Sequence, residues 1–308
     1  MANESMICND LSIEILKTDN GQVKEIRDDT FVITLQRVKE NYEIYNLRDF
    51  VIRLLVDDPN LITLTRLASL LDLMDSIIDL NIVRVYVVIS STPHEKAFLD
   101  ILANRKCTLE VLDLKVALDL QMNYDLSGLL LSVKIPIPLE ISARDFYSKL
   151  KLGSFYEINL VYPIVSITSH TRSNENNEQY LGKWLVVLFD FWFNDTQRPK
   201  IDLFLQVVNL LLGNKVKSTL LGLGPVRELK IDTNGKILSN YPNSINDLQK
   251  YKSHLFIQEL SLTTIYDKDI PLLIFNSKKN ICGTCSYCTI GELCGGGDFI
   301  SRYRLEND

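Results

Sequence analysis

Four cysteines close to the C-terminus are the residues of this chain best suited to chemistry. They occupy 13 residues with the spacing Cys-x2-Cys-x2-Cys-x5-Cys, and they are Cys282, Cys285, Cys288 and Cys294. Thiolates are soft ligands that suit zinc and iron–sulfur clusters, and four from one short segment are enough to surround one metal centre. The glycines at 295–297 allow tight turns and backbone N–H groups directed at sulfur. The spacing therefore predicts a metal site formed by these four cysteines, with zinc and iron–sulfur both open.

The other two cysteines, Cys8 and Cys107, stand alone, and the sequence assigns no role to either. A secreted disulfide scaffold distributes its cysteines along a short chain. The N-terminal residues carry neither the basic nor the apolar stretch of a secretion signal. The most apolar stretches, 184–193 and 201–212, are too short to span a bilayer. These features predict a cytoplasmic protein without a membrane segment.

Charge and glycine content exclude two further classes of function. The net charge is −6, and the 33 Lys and Arg residues are scattered, whereas nucleic-acid binding needs a concentrated basic surface. Loops that bind the phosphates of nucleotides need glycine so that the backbone can approach the ligand. Gly21 is the only glycine in the first 127 residues. The sequence therefore argues against a nucleic-acid partner and against a P-loop or GxGxxG turn in this half of the chain.

Alternating strand and helix patterns occupy the middle of the chain and must form the scaffold. The β-branched and apolar segments 81–90, 107–114, 128–138 and 155–168 are typical of strands. The segments 93–104 and 142–150 between them have helical periodicity. Strands that alternate with helices predict an α/β fold with a parallel sheet, whose ligands bind beyond the carboxyl ends of the strands.

The patterns on either side of this region are more varied. We predict short strands and turns over 1–40, two helices over 46–58 and 60–80, two more over 180–193 and 199–212, and another over 244–265. Between the last two of these regions, residues 227–240 read as a β-hairpin. Its arms flank Asn234-Gly235, a pair that favours a type I′ turn.

Several segments together resemble the radical SAM/SPASM peptide maturases. The strongest is Cys285-x2-Cys288-x5-Cys294-Gly-Gly-Gly followed by Ser301-Arg-Tyr, which is similar to the auxiliary-cluster (SPASM) end of that family. The segments 180–184, 220–225 and 231–236 resemble the helix after the family's barrel and the approach to its cluster domain, so that the resemblance covers roughly 155–308.

The resemblance implies a fold and a division into domains. It implies a degenerate or partial radical-SAM-type (βα) barrel over 1–170, connecting helices over 171–225, and a SPASM-like auxiliary iron–sulfur cluster domain over 226–308. Two motifs of the family are missing. Its members hold a cluster with CxxxCxxC near the first strand, and they bind the methionine end of S-adenosylmethionine (AdoMet) with a glycine-rich motif after the next strand. Only Cys8 and Cys107 precede residue 282, and no glycine lies between Gly21 and Gly128.

The resemblance, together with the absence of these two motifs, leads to one functional expectation. The chain is expected to be a catalytically silent pseudo-radical-SAM subunit that pairs with an intact radical SAM/SPASM enzyme and helps to modify a ribosomally synthesised precursor peptide. Its cofactor is expected to be an iron–sulfur cluster, [4Fe–4S] in type with zinc as the alternative, and no AdoMet is expected. Contact regions are expected at 180–193 and after Tyr303.

Two alternatives remain open at this point. The first is a stand-alone iron–sulfur redox protein or enzyme. The second is a zinc-stabilised peptide-binding module. No catalytic side chain is assigned in any of the three cases.

Overall fold

The computed structural model describes residues 10–19, 22–45, 50–78, 83–161, 174–214, 228–238, 255–258 and 287–289. Nine strands and seven helices are defined there. In chain order they are β1 (Asp10–Asp19), β2 (Gln22–Glu25), α1 (Asp28–Tyr45), β3 (Phe50–Val56), α2 (Leu64–Ile77), β4 (Val83–Ile89), α3 (Lys96–Asn104), β5 (Thr108–Val111), α4 (Leu114–Asn123), β6 (Leu130–Pro136), α5 (Ala143–Leu150), β7 (Glu157–Val161), α6 (Asn174–Asn194), α7 (Asp202–Leu211), β8 (Glu228–Ile231) and β9 (Ile237–Leu238).

All nine strands belong to one sheet. Their order is β7-β6-β5-β4-β3-β1-β8-β9, with β2 attached to β1. Every pair from β7 across to β8 is parallel, while β2 and β9 run antiparallel to β1 and β8. A helix connects each successive pair of parallel strands from β3 to β7, as parallel pairing requires. The predicted α/β fold with a mostly parallel sheet is therefore confirmed.

The helices cover one face of this sheet. Alternate strand residues on that face are apolar and buried, among them Ile13, Leu54, Val87, Leu109 and Val133. They form one continuous core with buried side chains of α1 to α5, such as Phe31, Leu67, Phe98, Leu120 and Phe146. Burial of this apolar surface is the main force that holds the helices on the sheet.

The predicted alternation of strands and helices after residue 81 is confirmed. Each predicted segment contains the corresponding element from β4 to β7, and the helices predicted over 180–193 and 199–212 correspond to α6 and α7. The last seven residues of the strand predicted over 155–168 lie outside the described residues. Among the described helices, none combines the length and the apolar character needed to cross a membrane.

The helix predicted over 46–58 is wrong, because residues 50–56 form strand β3. This strand lies between β1 and β4 and is hydrogen-bonded to both. An apolar run buried on both faces has no periodicity that separates a strand from a helix. The helix predicted over 60–80 is confirmed as α2, which begins after Thr63, whose hydroxyl accepts a hydrogen bond from Arg66 N–H at 3.1 Å.

The short strands predicted over 1–40 are correct for β1 and β2 and wrong for residues 28–40, while residues 1–9 lie outside the described ones. Residues 28–45 form helix α1, with Asp28 and Asp29 in its positively polarised first turn. Phe31, Leu35 and Val38 are fully buried on one side of this helix. The Thr34 hydroxyl donates to the Thr30 carbonyl at 2.8 Å, which satisfies a polar group inside the helix.

The hairpin predicted over 227–240 is confirmed as β8 and β9, but its type I′ turn is wrong. Such a turn needs a positive φ at both central residues, and here only Gly235 has one, at +84°. Asp232 N donates to the Lys236 carbonyl and its carboxylate accepts from Asn234 N, so the loop is longer than two residues. Residues 255–258 add a bridge to this hairpin through Phe256, so the helix predicted over 244–265 is wrong for these four residues; the rest of it lies outside the described ones.

Candidate functional site

The face of the sheet opposite the helices carries polar side chains, and we call it the polar face. Strand register places its residues in two rows. Ser12, Arg53, Tyr86 and Thr108 form one row, and Glu14, Glu110, Ser132 and Glu157 belong to the next. Parallel strands covered on both faces are usually apolar throughout, so polar residues at alternate positions mark this face as unusual.

A buried ion pair lies at the centre of the polar face. Arg53 Nε is 3.5 Å from Glu110 Oε1, and the Glu110 side chain is completely buried. Neither carboxylate oxygen of Glu110 accepts a hydrogen bond in the part of the chain that the structure describes. The Arg53 guanidinium also lies 5.2 Å from the centroid of the Tyr86 ring. A buried carboxylate is unfavourable without a countercharge. Arg53 supplies this countercharge and so offsets part of the desolvation cost of Glu110.

Further charges border this central pair. Lys230 of β8 lies 3.0 Å from Glu14, and Lys200 lies 3.6 Å from Glu157. Burial, followed by the charge of Glu157, raises the pKa of Tyr86 to about 12. The same two causes raise the pKa of Asp202, in the first turn of α7. The polar face therefore presents alternating charges that suit the binding of a polar ligand.

The carboxyl end of β1 continues into a β-hairpin. Strand β2 returns antiparallel to β1, with Thr18 opposite Val23 and Asp19 opposite Gln22. The Thr18 N–H donates to the Asp57 carboxylate at 3.0 Å, which ties the hairpin to the end of β3. A short polar hairpin thus occupies the edge at which a parallel sheet normally binds its ligands.

The loops after β3 and β4 are joined by side-chain hydrogen bonds. Asp58 Oδ1 accepts from the Asn60 N–H at 3.0 Å and from the Ser91 hydroxyl at 3.3 Å. Asn60 Oδ1 in turn accepts from the His94 N–H at 2.7 Å. The Asp57 carbonyl accepts from the Ser90 hydroxyl at 2.6 Å. The polar groups of these two loops are therefore hydrogen-bonded to one another.

Three of the four predicted metal ligands, Cys282, Cys285 and Cys294, lie outside the described residues. Cys288 is described within 287–289 and is exposed. Within the described ranges, no three His, Cys, Asp or Glu side chains lie close enough together to hold a metal ion, but three of the four cysteines lie beyond those ranges. The four-cysteine metal site therefore stays a prediction.

Cys107 is unsuited to metal binding. It is 2% exposed, and it directly precedes the amino end of β5. Burial raises the pKa of its thiol to about 12, so that the thiolate form is disfavoured at neutral pH. Cys107 is a core residue.

No family model matches the chain, and no curated protein matches it. Among solved structures, anSMEcpe with bound AdoMet and a Cp18Cys peptide superposes with a TM-score of 0.69 at 15% identity, over 97% of this chain and 91% of that one. The same enzyme with AdoMet alone gives 0.67 at 16% identity, over 97% and 92%. With a Kp18Cys peptide it gives 0.66 at 15% identity, over 97% and 91%.

The chain shares the overall fold of this enzyme. The enzyme in these structures, anSME, is an anaerobic sulfatase-maturating radical SAM enzyme. The α/β part of the predicted radical-SAM-type architecture is thereby supported, whereas the closure of the barrel and the SPASM-like domain remain predictions, as do the domain boundaries at 170 and 225.

The similar structures contain bound AdoMet, and a radical SAM enzyme also holds an iron–sulfur cluster, but the donor set at the carboxyl ends of β1 and β3 in this chain does not fit such a cluster. The cluster requires thiolates, which are soft ligands. The hairpin of β1 and β2 and the loop of residues 57–63 contain no cysteine. They supply carboxylates and amides instead, and the carboxylates of Asp57 and Asp58 already accept hydrogen bonds from neighbouring groups. No reaction step through AdoMet follows from these residues.

The polar face is the feature that sequence reasoning missed. The signal was present in the strands, where Glu14, Arg53, Glu110 and Ser132 each interrupt an otherwise apolar run. A charged residue in the middle of a buried parallel strand needs a partner on a neighbouring strand. Pairing Arg53 with Glu110 from sequence would have required the strand order, because β4 lies between their two strands.

Proposed function

We propose that this protein is a catalytically silent radical-SAM-type subunit that pairs with an intact radical SAM enzyme during modification of a ribosomally synthesised precursor peptide. One observation carries the proposal: a radical SAM fold extends over 97% of a chain in which only two cysteines, Cys8 and Cys107, precede residue 282. Three clustered thiolates hold the catalytic cluster in the family that the sequence resembles, and two separated ones are insufficient.

The position of Cys107 supports the proposal. It is buried just before β5, at the amino-terminal edge of the sheet, away from the edge where the family's cluster loop would lie. Cys8 precedes β1 by two residues in the sequence and lies outside the described residues.

We further propose that Cys282, Cys285, Cys288 and Cys294 hold one iron–sulfur cluster, of [4Fe–4S] type, with zinc as the alternative. Four closely spaced thiolates suit such a cluster chemically. A bound cluster would supply an electron path and a covalent anchor for the C-terminal region. Because metal binding and folding are coupled in small thiolate sites, the cluster would also stabilise this region.

A peptide is the proposed substrate of the complex. Two of the similar structures contain a bound peptide, Cp18Cys or Kp18Cys. We assign peptide contact to the carboxyl edge of the sheet, where residues 57–60 and the β1–β2 hairpin replace the family's cofactor loops. In this arrangement the silent subunit supplies part of a binding surface, and its partner supplies the radical chemistry.

The proposed partner contact is an exposed apolar strip on α6 and α7. The predicted contact region 180–193 is only partly available, because Trp184, Leu188 and Trp192 are buried in the core. Its most exposed apolar residues are Val186 at 62% and Phe193 at 56%, and Leu211 and Leu212 at the end of α7 are 67% and 72% exposed. Such side chains are typical of the centre of a stable interface.

The proposed lack of catalytic activity is tested with the purified full-length protein under anaerobic, reducing conditions. Calorimetric titration with AdoMet should show no micromolar binding, and chromatography should detect no 5′-deoxyadenosine. Release of 5′-deoxyadenosine by this protein alone would overturn the proposal.

The partner is tested separately by co-expression with each intact radical SAM enzyme encoded in the same genome. A complex should persist through gel filtration, and peptide modification should require both chains. The variant Val186→Ser/Phe193→Ser should abolish the complex, whereas Lys115→Ser on α4, outside the contact region, should leave it intact. Equal modification of the peptide without this protein would refute the pairing.

A further inference from the structure

A cavity of about 550 Å³ opens at the amino-terminal edge of the sheet. It is lined by the first residues of β4, β5 and β6, by Tyr156 just before β7, and by the ends of α2 and α3. Because these strands are parallel, this edge is opposite the β1–β2 hairpin and the loop of residues 57–60. The volume lies within the range of pockets that enclose small organic ligands.

The wall of this cavity carries an excess of positive charge. Of its three cations, Arg105 is neutralised by Asp75 at 2.5 Å and by Asp72. Arg84 and Lys106 are exposed and form no ion pair in the described part of the chain. Two uncompensated cations on one cavity wall attract an anion.

A phenol on the cavity wall provides a further hydrogen-bond donor. Tyr86 is only 3% exposed as a residue and lines the cavity, and its hydroxyl forms no hydrogen bond within the residues that the structure describes. This hydroxyl is not one of the fully buried atoms that lack a partner, so it is accessible and free to donate to an acceptor in the cavity. Since the pKa of Tyr86 is raised to about 12, this hydroxyl is a donor at neutral pH.

The remaining wall suits the apolar body of such a ligand. Leu130, 47% exposed, and the valines at the start of β4 contribute aliphatic surface, and Tyr156 contributes a second aromatic ring. The Thr108 hydroxyl lies on the same row of the sheet as Tyr86. Apolar walls with a few convergent polar groups are the usual composition of small-molecule sites.

We propose that this cavity binds a small organic anion, with Arg84, Lys106 and the Tyr86 hydroxyl around the acidic group and the apolar wall around the body. The acidic group is a carboxylate or a phosphate, which share the charge and the acceptor oxygens that these donors recognise. This site is independent of the proposed pairing with a radical SAM enzyme, because none of its residues lies at the carboxyl edge or on the α6–α7 strip.

The test is calorimetric titration of the full-length protein with phenyl phosphate, phenylacetate and neutral benzyl alcohol. We expect both anions to bind and benzyl alcohol not to bind. In the variant Arg84→Gln/Lys106→Gln, affinity for the anions should fall by at least about tenfold, since charge-assisted hydrogen bonds are the stronger kind. Tyr86→Phe should weaken both anions several-fold and keeps the ring beneath Arg53. Lys115→Gln, an exposed lysine on α4, is the matched control and should bind as wild type does.

The relative affinities for the two anions identify the acidic group of the natural ligand. Tighter binding of phenyl phosphate than of phenylacetate identifies a phosphorylated ligand, and the reverse order identifies a carboxylic acid. The inference is overturned if neither anion binds, if benzyl alcohol binds as tightly as they do, or if the double variant retains wild-type affinity while its circular dichroism spectrum is unchanged.

Discussion

Glu110 and Arg53 show what a charged residue requires inside a parallel sheet. Glu110 is fully buried, and Arg53 3.5 Å away supplies its countercharge. Breaking a buried pair from one side leaves an uncompensated charge, whereas replacing both partners by apolar residues removes the desolvation penalty as well. The pair is therefore expected to matter for stability only as a unit.

Arg53→Met is expected to lower the free energy of unfolding by about 3–5 kcal/mol, because the Glu110 carboxylate stays buried without its countercharge. The double variant Arg53→Met/Glu110→Leu should recover most of this loss. Urea unfolding of the two single variants and the double variant measures the coupling. Lys39→Met, which breaks the exposed Lys39–Glu43 pair, is the control and should cost less than about 1 kcal/mol. Equal losses in the single and double variants would contradict this account.

Asp195 connects α5 to the segment after α6. Its carboxylate lies 2.5 Å from Lys151 Nζ and accepts from the Tyr147 hydroxyl at 2.9 Å. The Lys151 bond, the Gln197 N–H and the Tyr147 hydroxyl together lower the pKa of Asp195 to about 2. A carboxyl group with a lowered pKa stabilises the fold above its unfolded pKa of about 3.9, and this contribution is lost as the pH falls through the folded value.

Asp195→Asn is therefore expected to be less stable than the wild type at neutral pH, and the difference should shrink as the pH falls from about 4 toward the folded pKa. Urea unfolding at pH 7, 5, 4 and 3 provides the measurement. Asp190→Asn, an exposed residue on α6, serves as the control and should show no comparable dependence. A difference that stays constant down to pH 3 would show that Asp195 does not act through its charge.

Elements with clear boundaries were predictable from local sequence, and buried central elements were not. The helix α4 begins at Asp113, whose carboxylate accepts from the Lys115 and Val116 N–H groups, and such a cap is readable from sequence. Strand β3 was mistaken for a helix because it is buried between two strands and lacks turn residues inside its apolar run. Its identity depends on hydrogen bonds to β1 and β4, whose paired residues are 40 or 41 and 33 positions away in sequence.

Gly182, Gly213 and Gly235 differ in backbone conformation and in the space around them, so alanine substitutions can distinguish the two effects. Gly182 lies in α6 with open space around it, and Gly213 has φ +78° and open space. Gly235 has φ +84°, and a Cβ added there would overlap the side-chain amide of Gln258. The side chain of Gln258 donates to the Asn234 carbonyl at 3.1 Å and so closes the hairpin onto residues 255–258.

Alanine substitutions at these three glycines should differ in their effect on the stability of the protein. Gly182→Ala should stabilise the protein by up to about 1 kcal/mol, because alanine is the better helix former. Gly213→Ala should destabilise it by about 1–2 kcal/mol through the left-handed backbone alone. Gly235→Ala should cost more than Gly213→Ala, since Gln258 must also move. Thermal unfolding by circular dichroism measures the order, and equal melting temperatures for the last two variants would show that Gln258 yields at no cost.

The whole molecule presents two edges of one sheet with different chemistry. The carboxyl edge carries the β1–β2 hairpin and the loops of residues 57–60 and 90–94, whose polar groups bond to one another. The amino edge carries the cationic cavity and the unpartnered Tyr86 hydroxyl. In the described part of the chain, a small-molecule pocket thus lies at the edge opposite the one at which parallel sheets normally bind their ligands.

The C-terminal cysteines should bind iron and fold together with it. After anaerobic purification, the wild-type protein is expected to contain iron and sulfide, and Cys285→Ala, Cys288→Ala or Cys294→Ala should lose both and make the region after residue 226 sensitive to proteolysis. Cys8→Ala, which removes a cysteine distant in sequence from the group, should retain the full content. One zinc and no sulfide per chain would replace the iron–sulfur cluster by the zinc alternative.

The sequence by itself determined the α/β class, the run of strands and helices from β4 to α7, the β8–β9 hairpin and the candidate metal ligands, because these depend on local periodicity, turn residues and spacing. Tertiary structure alone decided the strand order, the insertion of β3 between β1 and β4, the pairing of Arg53 with Glu110, and the gathering of Arg84, Lys106 and Tyr86 around one cavity. The physical reason is the distance in sequence between the residues that interact. A cap or a turn is stabilised by neighbours a few residues away, whereas a buried charge or a cavity wall is defined by strands that meet only when the sheet has formed.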